Sequence, residues 1–280
     1  MTKEKVGILH PGAMGVSIAT SAKNTGHAVY WASDGRGPQT HERANKVSLL
    51  DIHSVAKLCD ECLIIFSVCP PHAAEEVAKE VITHGFKGVY LGANAISPQR
   101  ATRIGQAMAE AGAEFVDGGI IGGPAWKPGR TWLYLAGKDA QRVSDCFSAG
   151  PLETSVIGDL AGKASALKMC FAAYTKGSTA LLSAILAVSE ALGIREELAN
   201  QWSRDGSDFA EQTNQRVRGV TAKAWRFVGE MEEIAATFEE AGMPGAFHIA
   251  AEVYRRIANL KDAQEAPSLA DILKALLGSK

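Results

Sequence analysis

The chain has 280 residues, 46% of them hydrophobic, and carries 29 lysines and arginines against 31 aspartates and glutamates. That near-neutral balance, without a basic run, excludes a nucleic-acid footprint and a membrane-surface patch. The N-terminal MTKEKVGILHPG enters a strand pattern directly, with no apolar leader, so a cytoplasmic protein is expected, and the length suggests two domains.

Residues 6–9 are an apolar run, followed by HPGAMG, a helical pattern that stops at Gly26, and a second apolar run at 28–32. Strand, tight turn, helix and strand within about thirty residues is the spacing of a right-handed βαβ unit. The glycine fingerprint G-x-G-x-x-G is present with one change, since His10 stands where its first glycine belongs. Gly12 and Gly15 keep the spacing that lets backbone approach a pyrophosphate and a helix pack on its strand. Pro11, Gly12, Ala13, Met14 and Gly15 are therefore the expected coenzyme cradle.

The end of the second strand reads ASDGRGPQT. An NAD-binding chain usually places an acidic side chain there for the ribose hydroxyls, whereas an NADP-binding chain places small polar and basic groups. Ser33 at the strand end, and Arg36 with a guanidinium able to fork onto a 2′-phosphate, favour NADP(H) over NAD(H). The competing reading is a solvated turn in which Asp34 and Arg36 touch nothing.

The alternation continues with a helix over 38–45, a weak strand at 47–49, a short helix over 52–57 and a strand at 63–68. A helix over 72–83, a strand at 88–91, a helix over 99–111 and a strand at 114–121 follow. Ligands of such sheets bind at the C-terminal strand ends, so Ser67 and Val68 on one loop, and Asn94 and Ser97 on the next, should line the nicotinamide end of a cleft. The last strand opens into GGIIGGPAWKPGRTWLYLAG. Gly122 and Gly123 let amides face a ligand oxygen, and Lys127 or Arg130 could hold a carboxylate. Pro128-Gly129 is equally the turn of an ordinary hairpin.

A helix over 139–149 and a strand at 154–157 complete the alternation, and everything after is helical. Residues 158–192 read as one long helix, apolar on every face and expected to be buried nearly all round. A membrane span is disfavoured, because the uncharged run 177–189 is shorter than the roughly twenty residues a bilayer needs and Lys168 and Lys176 interrupt the rest. Further helices are expected near 195–203, 207–217, 221–241, 245–260 and 268–276. The chain thus reads as a Rossmann-type doubly wound α/β domain over 1–159 and an all-helical domain over 160–280, joined through the long helix. That helix is apolar on more faces than one small domain covers, so a homodimer through the helical domains is expected.

Five cysteines include a Cys-x-x-Cys pair, and His53, Cys59, Cys62, Cys69 and His72 lie close in sequence. Cys62 and Cys69 bracket a strand-like run that would separate them by roughly 20 Å, too far to share one ion, so no metal is expected and the thiols read as reduced and partly buried. His248 reads as a packed histidine.

With these motifs in order, the chain resembles the β-hydroxyacid dehydrogenases, the superfamily that includes 6-phosphogluconate dehydrogenase. The resemblance rests on VGILHPGAMG, on DGGIIGGPAWKPG where the family has its substrate-binding Gly-Gly segment, and on GKASALK where it has a glycine-led approach to a catalytic lysine. ASALKM followed by AYTKG is similar to one branch whose helical C-terminal domain has no known function. The resemblance implies a hydride transfer between a nicotinamide coenzyme and a small-molecule hydroxy acid or related alcohol, with Lys168 as general acid/base and Asn94 beside it.

Three departures fall on positions that touch substrate in the family. Ile121 stands where the family has a serine, Ala172 replaces an asparagine one turn after the lysine, and a Lys-Asp pair reads Gly229-Glu230. They imply a more apolar or larger substrate than a simple 3-hydroxy acid. Ser165 and Thr175, one and two turns from Lys168, are the hydroxyls expected to orient it. Imine-reducing relatives carry aspartate or tyrosine at the lysine position, so Lys168 points to alcohol and carbonyl chemistry, with Tyr174 nearby keeping imine reduction as an alternative. A catalytically silent NADPH sensor is a third reading.

Overall fold

A computed structural model describes residues 3–263 and 265–278. Within it the chain divides into two compact units that meet between Met169 and Cys170. The boundary therefore lies ten residues beyond the expected 159, because the first turns of the long helix pack on the sheet.

The first unit alternates strands and helices: β1 (Lys5–Ile8), α1 (Ala13–Asn24), β2 (Ala28–Trp31), α2 (Pro38–Lys46), β3 (Leu50–Asp51), α3 (Val55–Glu61) and β4 (Ile64–Ser67). It continues with α4 (Ala74–Thr83), β5 (Val89–Gly92), α5 (Pro98–Glu110), β6 (Glu114–Gly122), β7 (Thr131–Ala136), α6 (Ala140–Asp145) and β8 (Glu153–Gly158). The strands form one eight-stranded sheet in the order β3-β2-β1-β4-β5-β6-β7-β8. All neighbours are parallel except β6 and β7, which form an antiparallel hairpin. The strand order reverses between β1 and β4, the position at which such sheets leave a crevice for ligands.

Apolar side chains alternate between the two faces of the sheet and are buried on both. Ile8, Trp31, Phe66 and Leu91 face one layer with Ile18 and Ala22 of α1 and Val143 of α6. Ile65 and Tyr90 face the other, with Leu58 of α3, Val77 and Val81 of α4, and Ile104 and Met108 of α5. The strand expected at 47–49 is instead the end of α2 and a turn, with Ser48 at φ 54, and the residues that pair with β2 are Leu50 and Asp51. The short helix expected from 52 begins at Val55, since His53 has φ 68 and Ser54 caps the helix by accepting from the Lys57 amide.

The long helix starts at Lys163 rather than 158, where Gly158 still belongs to β8. It runs as α7 (Lys163–Ala172), a π-helical turn (Ala173–Gly177) and α8 (Ser178–Ala191). The rest of the second unit is α9 (Arg195–Trp202), α10 (Phe209–Gly219), α11 (Ala224–Glu240), α12 (Phe247–Ile257) and α13 (Leu269–Leu277), the last opened by a capping box between Ser268 and Asp271.

The wide π turn leaves carbonyls that side chains bind. Arg216 donates from Nη2 to the Thr175 carbonyl at 2.5 Å, and Tyr254 donates its hydroxyl to the Lys176 carbonyl at 2.6 Å. Lys176 pairs with the buried Glu230 and lies 4.6 Å over the Phe227 ring. By length and composition Lys163–Ala191 could cross a membrane. These contacts are instead those of a helix packed in protein. Burial nearly all round does not occur, however: Phe171, Tyr174, Leu181, Val188 and Leu192 are exposed along the helix. One chain supplies partner helices for only part of its circumference.

Candidate functional site

The fingerprint lies between β1 and α1. A Cβ at Gly15 would fall 2.1 Å from the His10 carbonyl oxygen, so only glycine lets α1 start this close to the strand end. Gly12, at the helix N-cap, has open space where a Cβ would be. The first amides of α1, those of Ala13, Met14 and Gly15, have no acceptor within the helix and point out of its N-terminal end, where the helix dipole favours an anion. Ala13 is exposed, Met14 packs on the core and Pro11 is buried. Arg43 of α2, which the sequence reading missed, braces the loop by donating to the Pro11 carbonyl at 3.3 Å and to the Thr40 hydroxyl at 3.2 Å.

Ser33 is buried at the end of β2, and Arg36 follows a tight turn through Gly35 at φ 72. Arg36 is half-buried, which sets aside the solvated turn as a description of this residue, while Asp34 is exposed. The Arg36 Nε and the Nδ1 of half-buried His10 are both buried without a hydrogen-bond partner among the described residues. Burial, and then the nearby Arg36 guanidinium, hold the His10 imidazole down at about 4, so it is neutral at physiological pH. Two orphaned polar atoms beside an open glycine loop and free helix amides fit an anionic dinucleotide.

The next two loops are tied together. Asn94 accepts from the Cys69 amide at 2.8 Å and donates to the Ser67 hydroxyl at 3.3 Å, while Ala93 donates to the Ser67 carbonyl. Asn94, Ser67 and Ser97 are buried and Val68 is half-buried. Asn94 thus buckles one βα loop to the other, and keeps one amide hydrogen and one Oδ1 lone pair beyond these two bonds. Burial pushes the Cys69 thiol up to about 11, against the Ser67 hydrogen bond and the nearby Arg100 and Arg36 guanidiniums.

Lys168 is brought to the same edge by glycines of β6. A Cβ at Gly119 would meet the Ala164 carbonyl oxygen at 2.5 Å and the Lys168 Cβ at 3.3 Å, so α7 lies flush on the strand because Gly119 has no side chain. Gly92 pairs with Asp117, and a Cβ at Gly118 would touch Ala93. Asn94 follows Ala93 in the loop that leaves β5, while β6 runs on through Gly119, the residue on which Lys168 rests.

Asp117 anchors that helix, and the sequence reading missed it. Its carboxylate, wholly buried, accepts the Ser165 hydroxyl at 2.6 Å on Oδ1 and the Ser165 amide at 2.9 Å on Oδ2. Burial pushes its carboxyl up, opposed by bonds from Ser165 and from the Ala164 and Gly162 amides. A lone acid inside the apolar strand FVDGGII was the available signal, since a buried carboxylate needs donors. Ser165, one of the two hydroxyls expected to orient Lys168, donates to Asp117 one turn before the lysine, which leaves its oxygen able to accept.

Gly122 and Gly123 open the hairpin between β6 and β7. Gly122 has φ 119, and a Cβ there would lie 2.3 Å from the Arg130 carbonyl oxygen, whereas Gly123 is exposed with open space around it. Thr131 donates its hydroxyl to the Gly123 carbonyl at 2.7 Å. The Ala125 amide donates to the Ser17 hydroxyl at 2.9 Å, which pins the hairpin loop to α1. Ile121 is half-buried and, by strand alternation, shares the face of Gly119 on which Lys168 lies. Lys127 and Arg130 are exposed on the hairpin loop. The hairpin and the Gly-Gly segment, set out as alternatives, are the same object.

Ala172 and Thr175 belong to the second unit. Ala172 is buried, and Thr175, the other hydroxyl expected to orient Lys168, donates to the Phe171 carbonyl at 3.1 Å. His248 is an exposed residue within 3.3 Å of Glu239, not a packed one. Among the described residues no group of three or more His, Cys, Asp or Glu could hold a metal ion.

Residues 5–148 match the sequence profile of the NAD binding domain of 6-phosphogluconate dehydrogenase, and residues 190–257 match a domain of unknown function, DUF1932. An uncharacterized 28.5 kDa protein of Methanothermus fervidus is 31% identical over 202 residues, covering 71% of this chain and 77% of that one. Among solved structures, 3-hydroxyisobutyrate dehydrogenase from Salmonella typhimurium superposes with a TM-score of 0.70 at 17% identity, over 97% of this chain and 99% of the other. An imine reductase variant from Myxococcus stipitatus, in complex with NAD+, does so with a TM-score of 0.58 at 18% identity, over 98% of this chain and all of the other.

Proposed function

Since the chain belongs to the family of the NAD binding domain of 6-phosphogluconate dehydrogenase, we propose that it is an NADP(H)-dependent oxidoreductase acting on a hydroxy acid or a related alcohol or carbonyl compound. The observation that carries this reading is the seating of Lys168 on Gly119. Ala93, which precedes Asn94, lies against the neighbouring Gly118, and the Gly122-Gly123 hairpin, pinned through Ser17 to the fingerprint helix, begins three residues beyond Gly119 along the same strand. Proton-transfer group and coenzyme cradle thus share one edge of one sheet.

When bound, the nicotinamide supplies the carbon that accepts or donates hydride. The protein's part is the proton. Lys168 in its neutral form takes the proton of the substrate hydroxyl as the C–H hydride departs, and as ammonium returns it to the carbonyl oxygen in the reverse direction. The Gly123 amide supports the substrate oxygen from the hairpin. Ile121, on the lysine's face in place of a serine, favours a substrate with an apolar group there.

Ser33 and Arg36 discriminate for NADP(H), and the amides of Ala13, Met14 and Gly15 hold the pyrophosphate. Titrating tryptophan fluorescence of the intact chain with NADPH and NADH tests the coenzyme. Tighter NADH binding, or an Arg36→Ala variant with unchanged preference, overturns it. The exposed stripe Phe171, Tyr174, Leu181, Val188 and Leu192 supports a homodimer formed on the long helix. Unpaired buried Cys59, Cys62 and Cys146 support a reducing, cytoplasmic setting.

Imine reduction is the second reading. It is favoured by Tyr174, which is 72% exposed at the π turn and carries a phenol able to give a proton. Assaying NADPH oxidation with carbonyl compounds and with cyclic imines, and NADP+ reduction with hydroxy acids, separates the two. A silent sensor would bind NADPH and turn over none of them.

A further inference from the structure

His10 occupies the first glycine position of the G-x-G-x-x-G turn, where no side chain is expected. The parallel register of β1 on β2 ends with Ile8 opposite Trp31, and His10 and Ser33 each follow two residues later, in the loops that leave the C-terminal ends of these adjacent strands. The Arg36 amide turns back to donate to the Ser33 carbonyl at 3.0 Å, and its guanidinium charge adds to the burial that depresses His10.

We propose that His10 is a specificity-determining residue, donating from Nδ1 together with Arg36 Nε to the 2′-phosphate of the coenzyme's adenosine ribose; this rests on the NADP(H) reading above. Both atoms are buried without a partner among the described residues, and a buried polar atom left unpaired costs about 1–3 kcal/mol. The guanidinium nitrogen can only donate. The neutral imidazole donates from Nδ1 in one tautomer, which makes two buried donors. A ribose hydroxyl offers one uncharged oxygen with two lone pairs, whereas a phosphate monoester offers three anionic acceptor oxygens, the better match to two donors of which one is a guanidinium. The pyrophosphate is the other phosphate in reach, but the first amides of α1 already provide for it on the far side of Gly12. Arg36 supplies the charge and His10 the direction.

The test is calorimetric binding of 2′,5′-ADP and of 5′-AMP to the intact chain, since their ratio isolates the 2′-phosphate. Wild type should prefer 2′,5′-ADP. His10→Gly, which restores the fingerprint, and His10→Phe, which fills the space without a polar atom, should each cut that preference about tenfold or more and leave 5′-AMP binding within about twofold. His10→Asn, which keeps a donor near Nδ1, should retain the preference within about threefold. If the glycine variant does not fold, the phenylalanine variant decides. An unchanged ratio in His10→Phe overturns the proposal, as does equal weakening of both ligands, which would place His10 at the 5′ side. A wild type with no preference overturns the NADP(H) reading itself.

Discussion

Ser165 donates its hydroxyl to Asp117 Oδ1 at 2.6 Å and its amide to Oδ2 at 2.9 Å, so one buried carboxylate holds the first turn of the helix that carries Lys168. The bond joins a strand to a helix 48 residues later in the chain. Removing the carboxylate strands buried amides. Asp117→Ala should therefore destabilise the protein by about 3 kcal/mol or more, and Ser165→Ala by about 2 kcal/mol. Urea unfolding followed by circular dichroism measures both; an Asp117→Ala midpoint equal to wild type would remove Asp117 from this role.

Lys168→Met keeps an unbranched side chain on Gly119 and loses the amine. Loss of a general acid/base typically lowers turnover by 10²- to 10⁴-fold, so kcat should fall by about that much while NADPH binding stays within about threefold. A variant within threefold of wild-type kcat, on any substrate found, would end the role assigned to the lysine.

Stability should respond to acid through His10. Burial, and then Arg36, lower its value from 6.5 to about 4, so between those values the unfolded chain binds the proton and the folded one does not. The contribution is complete above about pH 6.5 and is lost as pH falls toward 4, by up to about 3 kcal/mol. His10→Phe lacks this titration. Comparing unfolding free energies at pH 7 and pH 4.5, wild type should lose about 2 kcal/mol more than the variant. Equal losses would show that the imidazole is not desolvated.

Lys176 and Glu230 form the buried ion pair of the second unit, with side-chain exposures of 16% and 9%. Removing one partner leaves a buried charge, so Lys176→Met should cost about 3 kcal/mol, and the double variant Lys176→Met with Glu230→Gln should recover much of the loss. Thermal unfolding of the three proteins reads this out. A double variant as unstable as the single one would show that the charge is solvated.

The exposed stripe on the long helix gives the oligomer its test. Leu181 and Val188 are 61% and 55% exposed and one heptad apart. Sedimentation velocity at micromolar concentration should show a dimer for wild type and a monomer for Leu181→Glu with Val188→Glu. A wild-type monomer would remove the homodimer.

Sequence periodicity determined the βα alternation, the fingerprint loop, the Gly-Gly segment and the helical second half, because each of these is written in residues near one another in the chain. Gly12 and Gly15 declare a close backbone approach by their spacing, and Lys168 declares itself as a charge in an apolar helix. Tertiary structure decided what lies across long separations: that Asp117 receives Ser165, that Gly119 seats Lys168, that Asn94 ties its loop to Ser67 and Cys69, that Ser17 holds the Gly-Gly hairpin, and that Arg216 and Tyr254 bind the π turn. The helix start shows the difference. Composition ran the helix back to 158, but Gly158 is needed by β8 and the Asp117 carboxylate meets amides only from Gly162 onward. A hydrogen bond between distant segments satisfies buried polar groups that no local pattern records, because its acceptor and donor become neighbours only when the sheet has formed.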